Sequence, residues 1–416
     1  MLKLRISELR KKNNMTQQEL GDYLSVSYQT VSKWETGVVL PDVTMLPGLS
    51  RCFGVSVDAL LGLVPLPQDY RPSDSGRKEY WADRVNYLKR TRKTMWNQDY
   101  LAFLVREVFR IDHPVTLLDC GCGYGAMGLL LLPLLPEGSK YVGVDFSGEM
   151  LCAARELFAA EGVAAEFIHA DIFDWDGRKN SGMLQAGASD AVVYNGMQRA
   201  PQDMGQYADN MDTQKQCTKG QHIPGQYDMV ISQAVLRHVD NGERFLEKMI
   251  TFTKPGGLVV SMECNREFEA DGLYVDGMDY ASLCTCPGLK KLWQTELSKQ
   301  NRDYSIAMKI PHYMRRAGLR DIGCRMNDRV NFLCPEQENY DGRLNAAVYA
   351  DHWSDEKTED ELEKDISYFV NHGMSRGEAE DYCAQQNGIV RYLKEHRGEA
   401  AFTKVGGIMV SYGWKV

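Results

Sequence analysis

The sequence predicts a small all-α module followed by an α/β domain on a largely parallel, seven-stranded sheet, with a helical insertion before the last strand. Three observations predict it. Residues 6–62 carry apolar side chains at helical spacing behind capping residues. Between Pro114 and Gly257, short apolar strands alternate with helices. The first three of those strands each end in an acid, Asp119, Asp145 and Asp171. A chain of 416 residues exceeds one compact domain, and 44% apolar with 25% charged residues describes a globular protein with a sizeable core. The longest apolar run, Ala126 to Leu135, is broken by Pro133 and too short to cross a bilayer. The first residues, Met1 to Ile6, show no apolar leader, so a cytoplasmic protein without membrane association is expected. The 11 cysteines include two C-x-C pairs, Cys120/Cys122 and Cys284/Cys286, which are read as reduced thiols with no metal site.

Charge is unevenly spread. The net charge is −9, yet residues 1–63 hold seven Lys/Arg against six acids and residues 64–96 eight against four. A mildly basic front and an acidic body suggest two tasks.

The front module, residues 1–63, reads as five short helices. Thr16 with Glu19 three residues on is a capping-box pattern. Ser27 caps the segment Tyr28 to Glu35, which stops at Gly37. Val31 and Trp34 face inward at i, i+3 spacing, which leaves Gln29, Thr30, Ser32 and Lys33 outward, groups suited to base edges and phosphates. The string TQQELGDYLSVSYQTVSKWETGVVLPD…VSVDALLG resembles the phage-repressor (Cro/XRE-type) helix-turn-helix family. That resemblance implies double-stranded DNA as a partner, a helix from Tyr28 to Glu35 in the major groove, Gln17 on phosphate, and a homodimer. The competing reading is a bundle used only for dimerisation, and the small net charge of the module favours it.

Residues 64–76, rich in proline, form a linker. The α/β domain is assigned to residues 77–416. It opens with a helical stretch bearing Trp81, Val85, Leu88 and Met95 on one stripe and cations opposite. This stretch either lies on the next domain or brings Tyr80, Trp81 and Arg84 over the active site.

The α/β elements follow in order. Val115 to Asp119 is strand one, running into the glycine turn Gly121–Gly125 and a helix from Ala126 to Leu135. Tyr141 to Asp145 is strand two, Ser147 to Ala160 a helix, and Ala165 to Asp171 strand three. Tyr227 to Gln233 is strand four, Glu243 to Thr253 a helix, and Leu258 to Glu263 strand five after the turn Lys254–Gly257. Residues 177–226 are a flexible insertion. Residues 310–333 supply a helix and strand six, and Gly406 to Val416 supplies strand seven, paired antiparallel with strand six. Asp271 to Lys299 is mixed and largely helical, and residues 335–400 are the helical excursion before the last strand.

Glycines between strand and helix let a ligand approach the backbone. Gly123, Gly125 and Gly128 satisfy G-x-G-x-x-G with Asp145 about twenty residues on, so a nicotinamide-dinucleotide site competes. Against it, Asp119 sets a carboxylate where a pyrophosphate would lie but an ammonium is welcome. Asp171 suits an adenine amino group, and no dehydrogenase substrate domain follows.

The pieces LLDCGCGYG, YVGVDFS, FIHADIFDW, YDMVISQAVLRHV and KPGGLVV, in that order, resemble the class I S-adenosylmethionine-dependent methyltransferases, with their Rossmann-like seven-stranded domain. The resemblance implies S-adenosyl-L-methionine as cofactor. Asp119, Gly121, Gly123 and Gly125 would hold its methionine end and Asp145 its ribose hydroxyls. Asp171 with the Ile172 backbone would hold the adenine edge, and Gln233 the methionine side. Tyr80 and Arg84 are further cofactor candidates.

A sulfonium methyl is already activated, so the protein need only align a nucleophile and exclude water. Where the nucleophile arrives protonated, His238 is the first candidate base, and Glu263 the second unless it pairs with Arg266. The competing reading, slightly favoured, is that His238 merely orders the loop or the substrate. No Asp/Asn-Pro-Pro-Tyr/Phe element and no Pro-Cys follows strand four, which leaves a small molecule as the expected acceptor. The expected function is a small-molecule methyltransferase fused to a sequence-specific DNA-binding module that regulates transcription. The alternative is a regulator whose methyltransferase-like domain senses a ligand without turnover.

Overall fold

The computed structural model describes residues 4–13, 15–63, 80–81, 84–91, 95–177, 226–283 and 286–416. The linker 64–76 and all but the end residues of the 177–226 insertion lie outside the described residues.

The front module is five helices: α1 (Ile6–Lys12), α2 (Gln17–Leu24), α3 (Tyr28–Thr36), α4 (Leu46–Phe53) and α5 (Val57–Leu60). The Thr16 hydroxyl accepts from the Glu19 N–H at 3.1 Å while the Glu19 carboxylate accepts from the Thr16 N–H at 2.7 Å, a closed capping box. Ser27 accepts from the Thr30 N–H and starts α3. The turn between α2 and α3 is tight enough to require Gly21, since a Cβ there would lie 2.7 Å from the Val26 carbonyl oxygen. Ile6, Leu9, Leu20, Val31, Trp34 and Leu60 close a core built only from this module.

Next come α6 (Val85–Thr91) and α7 (Gln98–Phe103), the latter continuing as a π-helical turn over Leu104–Val108. The main sheet contains β1 (Thr116–Cys120), β2 (Lys140–Asp145), β3 (Glu166–His169), β4 (Tyr227–Gln233), β5 (Thr253–Cys264), β7 (Arg320–Met326) and β10 (Ile408–Trp414). Their order is β3-β2-β1-β4-β5-β10-β7. The first five are parallel, and β10 is antiparallel to both β5 and β7, as the sequence predicts for a Rossmann-like sheet. On one face pack α7, α8 (Ala126–Leu131) and α9 (Gly148–Ala160), through Leu101, Leu131, Leu151 and Phe158. On the other pack α10 (Gly242–Phe252) and α14 (Ile306–Arg316), through Phe245, Met249, Ile310 and Met314. This three-layer arrangement buries β1, β2, β4 and most of β5 on both sides, which explains their nearly unbroken apolar runs, whereas the edge strand β7 stays largely exposed.

Four boundaries differ from the sequence reading. Pro133 ends α8 at Leu131 and leaves a single 3₁₀ turn, Leu132–Leu134. β3 stops at His169, so Asp171 sits in the turn beyond it. β5 begins at Thr253, with a register shift beside Tyr227 and Met229 that absorbs the Lys254–Gly257 segment. The stretch read as one strand six divides in two. The Asn327 carboxamide oxygen accepts from the Arg329 N–H at 3.0 Å, an Asx turn that swings the chain out of the main sheet.

The second part, β8 (Val330–Leu333), joins β6 (Leu273–Val275) and β9 (Phe402–Val405) in a separate antiparallel sheet of order β6-β9-β8. Short helices α11 (Arg266–Ala270) and α12 (Tyr280–Leu283) flank β6. With α13 (Pro287–Gln300), α15 (Tyr340–Ala350), α16 (Glu359–Asn371) and α17 (Arg376–Glu395), this sheet forms a second layer with its own core, including Leu273, Leu344, Ile389 and Phe402. Among the described residues no helix is long and apolar enough to cross a membrane.

Candidate active site

The glycine turn between β1 and α8 is wired to the tip of β2. Asp145 accepts from the Gly123 N–H at 2.8 Å and from the Ser147 N–H at 2.9 Å, with the Phe146 N–H as a third backbone donor. Two carboxylate oxygens offer about four acceptor sites, so capacity for an outside donor remains. Gly123 has φ +54° and no atom within 4 Å of where a Cβ would stand, so the turn is open at that point. Burial raises the Asp145 carboxyl above its usual value, against backbone bonds from Ser147, Gly123 and Phe146. Asp119 lies behind it, 2% exposed, and accepts from the Tyr141 hydroxyl at 2.9 Å. Burial pushes Asp119 up to about 7, opposed by the Tyr141 bond and reinforced by the charge of Asp145. Gly121 and Gly125 complete the turn in the left-handed region. Asp171 is exposed, accepting from the Phe173 N–H at 2.9 Å, and Ile172 is buried, so only its backbone is presented.

At the β4 tip, Gln233 lines a cavity of about 1060 Å³ that spreads beneath the second layer. Ala234 takes φ +56°, uncommon for a residue with a Cβ, and turns the chain sharply out of the sheet. That turn is held from below. Glu263 Oε1 accepts from the N–H groups of both Val235 and Leu236 at 2.8 Å. This corrects one expectation: Glu263 is fully buried and bonded to backbone, while Arg266 pairs with Glu269. Glu263 therefore shapes the turn and does not border the cavity.

His238 does line the cavity, with its ring centre 4.9 Å from that of Trp81 in an edge-on contact. Its Nε2 faces the Arg237 Nε at 2.9 Å and its Nδ1 lies 3.4 Å from Arg302. Arginine cannot accept, so each contact calls on a bare ring nitrogen and a neutral imidazole has only one; the shorter contact assigns it to Nε2, whose lone pair is thereby engaged. Arg302 is anchored in turn on the buried Glu296 at 2.7 Å, which also accepts from Tyr304 at 3.0 Å. Arg237, Arg302 and Glu296 were not singled out by sequence reasoning. Only Arg237, directly beside His238, carried a signal that could have found it.

Tyr80, Trp81 and Arg84 also border the cavity, with the Arg84 guanidinium 4.2 Å from the Tyr80 ring centre. Trp81, Val85 and Leu88 pack on Tyr124 and Met150, and the Tyr124 hydroxyl donates to the Leu88 carbonyl at 3.2 Å. The described part of the segment packs on the glycine turn through Tyr124 with one edge and borders the cavity with the other. Met95 leaves the stripe and packs in the main core.

On the front module, Gln29 and Lys33 are exposed on α3, with Thr30 and Ser32 half-buried. Thr30 and Ser27 share a hydroxyl contact at 3.0 Å. Gln17 is turned partly inward: its amide donates to Glu35 at 2.8 Å, and Glu35 also receives Arg10. Only the second amide hydrogen of Gln17 remains for the phosphate contact expected of it.

A family model for the helix-turn-helix matches residues 6–60, and one for the methyltransferase domain matches residues 74–323. Over 57 residues, 14% of this chain and 28% of the relative, the sequence is 39% identical to the HTH-type transcriptional activator BcrR of Enterococcus faecalis. Over 166 residues, 40% of this chain and 47% of the relative, it is 25% identical to a ubiquinone biosynthesis O-methyltransferase of Chelativorans sp. (strain BNC1). The chain thus spans less than half the length of either curated relative. Similar solved structures include phosphoethanolamine N-methyltransferase 2 of Haemonchus contortus, with TM-score 0.38, 14% identity, and 81% of this chain and 60% of that one covered. The [4+2]-cyclase SpnF matches at TM-score 0.37 and 13% identity, covering 85% and 99%. With a β2 carboxylate tied to an open glycine turn, and a family match over more than half its length, this chain belongs to the methyltransferase-domain family and carries a Cro/XRE-type helix-turn-helix domain ahead of it.

Proposed function

We propose that this protein transfers a methyl group from S-adenosyl-L-methionine to a small molecule held in the cavity. The observation that supports this most is the Asp145–Gly123 link, a carboxylate with acceptor capacity to spare beside a glycine turn that leaves open space at Gly123. The residues fit the cofactor chemically. Asp145 offers two acceptors to a ribose diol, and the buried Asp119 carboxyl offers a negative charge to an ammonium. The Ile172 backbone and Asp171 lie beyond β3 and would meet an adenine edge, and Gln233 and Arg84, which line the cavity, would meet the methionine side. When bound, the cofactor supplies an activated methyl group. This chain's own part is to orient the acceptor and exclude water, with Trp81 and Tyr80 forming an aromatic wall beside His238. The Arg237 bond fixes the His238 ring, so His238 takes up an acceptor's proton only when Arg237 swings aside.

Calorimetry with S-adenosylhomocysteine tests the reading. Uptake by the intact protein, reduced at least about tenfold in Asp145→Ala, is expected from the loss of two charge-assisted bonds. No uptake would overturn it.

The helix-turn-helix module is proposed to bind double-stranded DNA through Gln29, Thr30, Ser32 and Lys33, as a homodimer on a two-fold site. A gel shift on the DNA upstream of its own coding region should weaken in Gln29→Ala/Lys33→Ala, and an unchanged shift would tell against those contacts. Regulation of transcription by a ligand-sensing domain without turnover is the second reading. It draws support from the engagement of both candidate bases, Glu263 by backbone and His238 by Arg237.

A further inference from the structure

The cavity carries a charge that nothing in the methyltransferase reading requires. Seven cationic side chains line it against two carboxylates, Glu269 and Asp351, in a chain whose net charge is −9. Three of the cations meet an acid: Arg266 with Glu269, Lys404 with Asp351, and Arg302 with the buried Glu296. Among the described residues the other four have only neutral groups in bonding reach. Arg84 lies over Tyr80 and Tyr87. Arg237 reaches His238. Arg329 donates to Asn97 at 2.6 Å and Asn331 at 2.9 Å. Arg343 donates to Gln337 at 2.5 Å and to the Phe332 carbonyl at 3.0 Å. Amides and carbonyls orient a guanidinium without cancelling its charge. The field is felt at His352, whose imidazole is lowered by burial and by the nearby Arg84.

Arg237 also feels the charge of Glu269, but among the described residues no acid in bonding reach offsets Arg84, Arg329 or Arg343, and an anion entering this concave space is drawn by the summed positive charge. Between them stand flat apolar surfaces, with Trp81 beside His238 and the Trp293 and Tyr304 rings stacked at 6.1 Å, all lining the same cavity. Arg84 is already given to the cofactor in the reading proposed above. Arg237, Arg329 and Arg343 remain.

We propose that the methyl acceptor carries an oxyanion, a carboxylate or a phosphate, on a ring-bearing apolar body, and that Arg237, Arg329 and Arg343 supply the charge that selects it. The proposal rests on the methyltransferase reading of the site. It assigns an acceptor class to a cavity whose volume, about 1060 Å³, exceeds what one cofactor fills.

The test is calorimetric titration of the full chain with matched probes: 4-hydroxybenzoate against its neutral methyl ester, and phenyl phosphate against phenol, with inorganic phosphate lacking the ring. At least one ring-bearing anion should bind about tenfold or more tighter than its neutral twin and than inorganic phosphate. Which of the two prevails separates carboxylate from phosphate. The preference should shrink between about 50 and about 500 mM salt. Arg329→Gln should reduce it about tenfold, as should Arg343→Gln, a substitution on a helix surface that keeps the hydrogen bonds of a polar side chain. Equal affinity for charged and neutral twins, no binding of either ring-bearing anion, or anion affinity unmoved in both variants would overturn the proposal. S-adenosylhomocysteine titrated separately decides the underlying reading. Uptake without anion preference sinks this inference alone, whereas anion preference without uptake sinks the methyltransferase reading and leaves the cavity an anion site.

Discussion

Burial holds the Asp119 carboxyl at about 7, where an unfolded aspartate titrates near 3.8. Between those values the folded protein keeps a proton that the unfolded chain has released. Stability of the ligand-free protein therefore falls as pH rises through that window, by about 1.4 kcal/mol per unit. Asp119→Asn keeps an acceptor for Tyr141 and removes the titration. Its ligand-free thermal midpoint at pH 8 should exceed that of the parent. If Asp119 meets the cofactor's ammonium, S-adenosylhomocysteine affinity of the parent should rise from pH 5.5 to 8 and level off, while the Asn variant binds weakly at every pH. A flat parent profile would tell against the pairing. Asp119, Gly123 and Asp145 could be found in the sequence because an acid at a strand tip beside glycines leaves a local pattern. The role of Glu263 could not, because it depends on which way one residue of β5 points beneath a turn almost thirty positions away.

Thr16 and Glu19 illustrate the element scale. Their reciprocal bonds satisfy two of the free N–H groups at the start of α2. Thr16→Ala should cost the front module about 1 kcal/mol, read as a lower midpoint in urea. A loss confined to that module would leave S-adenosylhomocysteine uptake untouched. Elements like α2, α3 and the parallel strands announced themselves through caps and continuous apolar runs. The small sheet did not. β6 has three residues and β8 and β9 four each, too short for a period of two to stand out. β8 was legible as extended chain, but the Asx turn at Asn327 that sends it to another sheet reads as an ordinary polar loop.

For the whole molecule, separate cores predict separate melting. The front-module cluster draws only on residues 4–60, and the two main-sheet clusters start at Met95. Calorimetric scans should show two transitions, of which S-adenosylhomocysteine raises only the larger, because a ligand stabilises the unit that binds it. A single transition moved as a unit would mean that the two domains are energetically coupled. The sheet order β5-β10-β7 carries one more consequence. Strand β10 is synthesised after all the other strands, yet it lies between two of them. Until residues 408–414 leave the ribosome, the inner edges of β5 and β7 have no partner, and the nascent chain displays two sticky ribbons. Maturation in the cell should therefore lean on holdase chaperones until β10 emerges, and slower elongation over the codons leading to residues 408–414 should lower soluble yield.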